Sequence, residues 1–588
     1  MDDKYIWDLT HIYNSEEDVN KAIEETYSLL EKIKVYKGKL LNNSDNIFEV
    51  YFLYEKILLI IEKVYGYAML SYHIDMSNVN ALKLYKKAEK LLTECSDIVS
   101  FISPEMSEMD ESFLRELIKE PRFEPFVKEI EDIIKQKKHI LSKEVEEVLA
   151  KYAETFNVSE NTFDILTNTE FEFPKAEDSN GNLLDMSEGL FGKYLKGSDE
   201  VLRKNAYNSI YSLYKKHINS IAELYLGRVK TRVTTSRLRK YSSSLEAATD
   251  ADDSNIKVYK TLVKEVNENL HINHRYMKLK AKLLGKEKIH SYDMSVNTID
   301  KEDSEIEYED AKKMVLEALK PMGEDYIKSI EHAFNNRWLD VYERKNKMTG
   351  GYNMGVYGAH PYILLNYVKS LRDVSTIAHE LGHAMHSMYS SENQNVFNNQ
   401  YTIMVAEVAS TVNEILLANY LIEKETDNLK KAALVQEQLD LIRATLIEQT
   451  KLAEFEEKVH SRIEAGETLT SDNLNEIFFE LVKKYAGEAL EAEEESKYVW
   501  ARIPHFYRCF YVYKYATGIT SAIVIANKIL SGEPGYVEKY KEMLNLGRTK
   551  DSISLLKMVD VDLESEETYK EAFRYYEKSL NKLEELLK

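Results

Sequence analysis

Apolar positions recur at three- and four-residue spacing along most of this chain, so the pattern predicts long amphipathic helices. Leu, Ile and Tyr stripes with few breakers run from about Glu16 to Lys119, and another helical stretch follows Ser142. The period then changes. Thr167-Asn-Thr-Glu-Phe-Glu-Phe173 alternates as a strand does, and Ser179-Asn-Gly-Asn182 before Leu183-Leu184 predicts a hairpin turn. Helical spacing resumes at Ser198 and continues to about Glu331, broken near Asp250–Asp253 and His290–Asp303. Gly350-Gly351 to Val368 reads as extended chain, with paired glycines, alternating Tyr and Val, and Pro361 ahead of an apolar run. Helices are expected again over Leu371–Ser387, from Thr402, over Thr426–Glu464, Ser471–Tyr485 and Glu566–Lys588, and the Tyr-rich stretch after Pro504 also reads as one helix. The fold class is therefore mainly α with a small β component. A boundary near Leu195 divides an N-terminal helical lobe, residues 1–195 with its hairpin near 167–184, from a lobe spanning 196–588.

Within the 371–387 helix stands His379-Glu380-Leu381-Gly382-His383. Residues four apart share one helix face, so both imidazoles can reach a single zinc ion. Glu380 lies beside them, where it can take a proton from water. Apolar Ile377, Leu381 and Met385 fall four apart, which buries the element along a neighbouring stripe.

A catalytic zinc usually takes three protein ligands. His386 is near in sequence, but it sits seven residues from His379, about 10.5 Å along the axis, too far for one ion. The polar run Ser390–Asn395 is expected to end the helix, and Asn398-Asn399-Gln400 to continue a loop. In the next helix Glu407 is flanked by Val405, Ala406, Val408 and Ala409. A carboxylate in such an apolar run is costly unless paired, and a helical hairpin would return it to the two histidines as third ligand. Glu414, on a similar face, is a weaker candidate for orienting one of the histidines.

The run Ala378-His-Glu-Leu-Gly-His-Ala-Met-His386, followed by Val405-Ala-Glu-Val-Ala-Ser410, resembles the M3, thimet oligopeptidase-like, zinc metallopeptidases. Gly351–Asn366, Ile503-Pro-His-Phe-Tyr507 and Phe510–Gly518 look like the oligoendopeptidase F branch of that family. The likeness spans roughly Tyr5 to Leu587, with Trp7 and Leu9 matching an N-terminal Trp-x-Leu. It implies a multi-lobed helical metallopeptidase with a small β-sheet beside the His-Glu-x-x-His helix. Its lobes would enclose a channel that admits short unfolded peptides. It implies one Zn2+ on His379, His383 and Glu407, with Glu380 as the catalytic base. It also gives the extended segment 350–368 a substrate-binding role, and His505, Tyr507, Tyr511 and Tyr513 a role as oxyanion donors. The chain departs from the thimet-type pattern there: the spacing from His505 to the tyrosines is shorter, and Phe510 stands where a Tyr would align.

Two other readings compete with the endopeptidase. One is an exopeptidase of carboxypeptidase type on the same metal core, with Arg502 as an example of a carboxylate clamp. The other is a helical peptide-binding protein without catalysis.

Composition narrows the partners. A net charge of −22 disfavours nucleic acid and anionic membranes, since no global basic field exists. The basic cluster Arg228–Lys240 is read as a solvated helix face. No apolar stretch approaches ~18 residues, so no membrane span is expected. The charged start Met1–Tyr5 has no apolar segment after it, and Cys95 and Cys509 are the sole cysteines. Both fit a cytoplasmic enzyme acting on short peptides. Oligomeric state is left open.

Overall fold

A computed structural model describes residues 3–299 and 305–588. Met1, Asp2 and the far end of the expected break at 290–303 lie outside the described residues. The chain forms two compact units, each assembled from three segments: 1–140, 303–421 and 525–561 in the first, 141–302, 422–524 and 562–588 in the second. None of these crossings falls at Leu195, where the sequence suggests one boundary.

In the first unit, helices Glu16–Lys34, Ser44–Ile74 and Val79–Val99 pack on one another. Their stripes supply the core, including Val19, Leu30, Ile47, Ile57 and Leu91. Asn43 starts the second of them by accepting from the Asn46 amide at 3.0 Å, a cap worth about 1 kcal/mol. The expected extended segment is part of a three-stranded sheet of β1 (Leu339–Tyr342), β2 (Tyr352–Met354) and β3 (Tyr362–Tyr367), in the order β1-β3-β2. Central β3 is buried along nearly its whole length, as its uninterrupted apolar run requires. It pairs parallel to β1 (Leu339 opposite Ile363) and antiparallel to β2 (Met354 opposite Tyr362). Trp7 is buried against Tyr362 and Leu364, and the Tyr362 hydroxyl donates to the Asp8 carbonyl at 3.1 Å. The N-terminal Trp thus anchors on the sheet.

Below the sheet runs helix α1 (Leu371–Asn393). It opens with a reciprocal cap: Ser370 Oγ accepts from the Asp373 amide at 3.2 Å, and the Asp373 carboxylate accepts from the Ser370 amide at 2.8 Å. The helix continues past Ser390, three residues into the expected loop. Ser390 keeps its backbone helical, accepting from the Gln394 amide, while its hydroxyl donates to the Asn399 carbonyl at 2.6 Å. Helix α2 (Ile403–Lys424) follows. By length and composition α2 is apolar enough to cross a membrane, contrary to the sequence expectation, and 61% of its apolar window is buried inside the protein.

The second unit is helical apart from two short strand pairs among its described residues. The hairpin forms where the turn residues predict it, with Ala176 opposite Leu184 and Glu177 opposite Leu183. The alternation over Thr167–Phe173 does not make a strand. Residues Leu166–Glu170 continue the preceding helix as a wide π turn, in which the Thr167 hydroxyl donates to the Phe163 carbonyl one turn back. Among the helices is α3 (Gln449–Glu464), whose Phe455 packs with Tyr225, Trp500 and Phe506.

Candidate metal centre

Helix α1 presents His379 and His383 one turn apart, with their Nε2 atoms 3.2 Å from each other. α2 returns antiparallel and brings Glu407 to them, so that one ligand atom from each of the three lies within 4.8 Å of the others. The Glu414 carboxylate bonds Nδ1 of His379. That bond places the ring proton on Nδ1 and leaves the Nε2 lone pair turned toward His383.

Charge follows burial and proximity. Burial opposes ionisation of His379, but Glu414, with Glu380 and Glu407 beyond it, raises its pKa to about 8. Burial and the neighbouring His379 lower that of His383 to about 3. Burial also raises Glu407, against the pull of His379. Glu380 is only 6% exposed and is pushed to about 7, mainly by burial. Two convergent imidazole nitrogens, one of them oriented by a carboxylate, plus a desolvated glutamate, form a donor set that suits a divalent zinc-like cation.

Close helix contact makes this convergence possible. A Cβ at Gly382 would stand 2.6 Å from both the Ala409 carbonyl oxygen and the Ser410 Cα. Both obstacles are backbone and cannot rotate aside. Asn413, 1% exposed, locks the crossing by donating to the Ala378 carbonyl at 3.0 Å, and it accepts from the Tyr326 hydroxyl at 3.1 Å. Gly382→Ala is expected to cost about 1–3 kcal/mol by overpacking and to weaken metal binding. Denaturant unfolding with and without added metal reads both effects. An unchanged midpoint would mean that α1 and α2 do not need this contact.

His379, His383, Glu407 and Glu380 line a cavity of about 510 Å³. Its opposite wall is Gly351–Gly355, the edge strand β2 with a glycine at each end. Those glycines let the strand lie on α1: a Cβ at Gly351 would be 3.1 Å from Thr376 Cγ2, and one at Gly355 would be 3.0 Å from Ser387 Cβ. Neutral polar groups, among them Asn353, Ser387, Asn399, Gln400 and Tyr401, complete the lining. His386 is outside the ligand group and stacks on Tyr401 with ring centroids 3.6 Å apart. His360, in the turn before β3, stacks on Trp338 and bonds His11 at 2.8 Å.

The remaining predicted site residues belong to the second unit, and they are not on one helix. Pro504–Arg508 forms a tight 3-10 turn, Phe510 takes a left-handed φ of 61°, and the helix starts only at Tyr513. Tyr507 is buried and stacked on Phe163 at 4.6 Å. Tyr513 is buried and donates to Asp252 at 2.9 Å. Half-exposed His505 and Tyr511 stack at 5.8 Å, and the Tyr515 hydroxyl meets His505 Nε2 at 3.5 Å. Sequence reading passed over Tyr515, although it follows Tyr511 by one helical turn. It also passed over Asn413, whose one signal is an amide in an apolar helix.

Two family models match the chain: peptidase family M3 over residues 193–575 and oligopeptidase F over 105–173. Oligopeptidase PepF of Bacillus subtilis is 34% identical over 582 residues, 99% of this chain and 87% of the relative. The crystal structure of oligoendopeptidase-F from Enterococcus faecium is 32% identical, covers 97% of this chain and 99% of its own, and superposes with a TM-score of 0.75. A crystal structure of a Chlamydophila abortus protein superposes with a TM-score of 0.94 at 29% identity, covering 100% and 99% of the two chains. A family model across most of the length, and relatives above 30% identity end to end, make this chain a member of peptidase family M3.

Proposed function

We propose that this M3 peptidase is a zinc-dependent oligoendopeptidase that cleaves internal bonds of short unfolded peptides. The convergence of His379, His383 and Glu407 beside Glu380, on the cavity that β2 edges, carries the reading. When bound, the ion supplies Lewis acidity toward the scissile carbonyl and makes a water easier to deprotonate. Glu380 removes that proton as water attacks and hands it to the leaving amine. An extended peptide adds to the free edge of β2 through main-chain hydrogen bonds, which hold the backbone without selecting side chains.

Of the four residues proposed as oxyanion donors, half-exposed His505 and Tyr511 are the first to test, since Tyr507 is buried in a stack and the Tyr513 hydroxyl donates to Asp252. Tyr511→Phe is then expected to lower kcat by roughly 10²-fold with KM little changed. A KM effect alone would make the residue a binding contact.

End-blocked peptides of graded length, offered beside one folded protein and read by mass spectrometry, test the activity. Internal cuts in the peptides, abolished by a chelator and absent from the folded protein, are expected. Cutting only after the ends are unblocked would point to an exopeptidase. Two free, buried cysteines support a cytoplasmic setting. Recovery of the activity with the membrane fraction would overturn that placement.

A further inference from the structure

Far along the chain from the His-Glu-Leu-Gly-His helix, a second group of metal-ligating side chains is enclosed in the second unit. Glu456 and His460 stand one turn apart on α3, and Cys509 comes from the turn after Pro504. One ligand atom from each lies within 4.8 Å of the others, and all three residues are buried. Zinc ligand bonds of ~2.0–2.3 Å would need these atoms to close by no more than roughly 1 Å.

Two atoms of the group are orphans. Glu456 is 0% exposed; one of its oxygens accepts from the Phe510 amide, and the other, Oε2, has no hydrogen-bond partner. His460 is 1% exposed; its Nδ1 meets the Ser244 hydroxyl at 2.9 Å, and Nε2 has no partner. The Tyr225 hydroxyl, also buried and unpartnered, lies within electrostatic reach of Glu456 and Cys509. Leaving such atoms dry and unpaired is costly, so the arrangement calls for an occupant.

Charge restricts what that occupant is. Arg232 acts on all three ligands, Arg228 on Cys509 and Lys514 on Glu456. A divalent ion with one thiolate, one carboxylate and one neutral imidazole is net neutral, so it adds no charge beside these cations. A mixed sulfur, nitrogen and oxygen set of this kind selects a thiophilic divalent cation of the zinc type.

We infer that Glu456, His460 and Cys509 form a second metal site for such a cation, independent of the site on α1 and α2. Its place in the fold gives it work. Phe510, the residue after Cys509, holds the left-handed φ of 61° and is bonded through its amide to Glu456. An ion shared by α3 and this turn would pin a strained stretch of backbone that leads directly into Tyr511.

Cobalt substitution of the full-length protein separates the two sites, because only the second contains sulfur. The cobalt-loaded wild type is expected to show thiolate-to-cobalt absorption in the near ultraviolet. The band should persist in His383→Ala and vanish in Cys509→Ser. Zinc content after growth in zinc-sufficient medium should be two per chain in the wild type and one in either variant. A wild-type protein with no thiolate band overturns the inference, whatever the variants do. One zinc per chain together with the band would keep the ion at Cys509 and overturn the assignment to His379, His383 and Glu407 instead.

Discussion

Glu380→Gln is expected to retain its metal and to lose about 10²–10⁴-fold in kcat. The amide has the size and shape of the carboxyl, so the ligands one residue before and three residues after it keep their places. It cannot accept a proton. Glu380 is suited to the task because burial raises its pKa to about 7, close to a neutral working pH, where a base both exists ionised and binds a proton usefully. It is 6% exposed, sits in the cavity wall beside the proposed ligands, accepts a hydrogen bond from the Asn353 backbone on β2, and would come within 3.6 Å of a Cβ on the facing Gly351. Turnover of an end-blocked peptide, measured beside metal content, separates chemistry from assembly. Wild-type turnover in this variant would remove the base from Glu380. Loss of the metal along with the activity would make the residue part of the ligand shell.

His383→Ala is expected to abolish metal binding at α1 and α2 and to bring peptide cleavage to background. Three ligands are the usual minimum that a catalytic zinc site keeps, and removing one leaves a His and a Glu with no third donor among the described residues of that group. Glu407→Gln should behave the same way, since an amide oxygen supplies no charge to the ion. Glu414→Ala is expected to fall between these variants and the wild type, with affinity down about 10–100-fold. It removes the bond to Nδ1 of His379 but no ligand. Metal retained after dialysis against a weak chelator ranks the series. If Glu414→Ala lost metal as completely as His383→Ala, Glu414 would itself be a ligand.

The helical pitch of 3.6 residues fixes by itself that His379 and His383 share a face, so two of the three proposed donors were readable from spacing alone. The place of Glu407 was readable too, for an energetic reason: a carboxylate among Val405, Ala406, Val408 and Ala409 asks for a partner. The same local logic gave the helices, the turn at Ser179–Asn182 and the sheet beside α1. It failed where a specific hydrogen bond or side chain outweighed the periodic pattern. Alternation over Thr167–Phe173 yielded to a side-chain bond back to Phe163. The tyrosines after Pro504 were read as one helix, but the buried carboxylate of Glu456 takes the Phe510 amide and a left-handed residue breaks the run. Equivalent in sequence, Tyr507, Tyr511 and Tyr513 end in different surroundings: a stack on Phe163, a half-exposed pair with His505, and a bond to Asp252.

The sequence therefore determined the helical class, the family and the two histidines on one helix face with Glu380 between them, because each depends on neighbours within a turn or two. Tertiary structure alone decided how closely α2 approaches Gly382, what Asn413 holds and what surrounds Cys509. Those outcomes depend on contacts between residues dozens to hundreds apart, whose geometry no local period encodes.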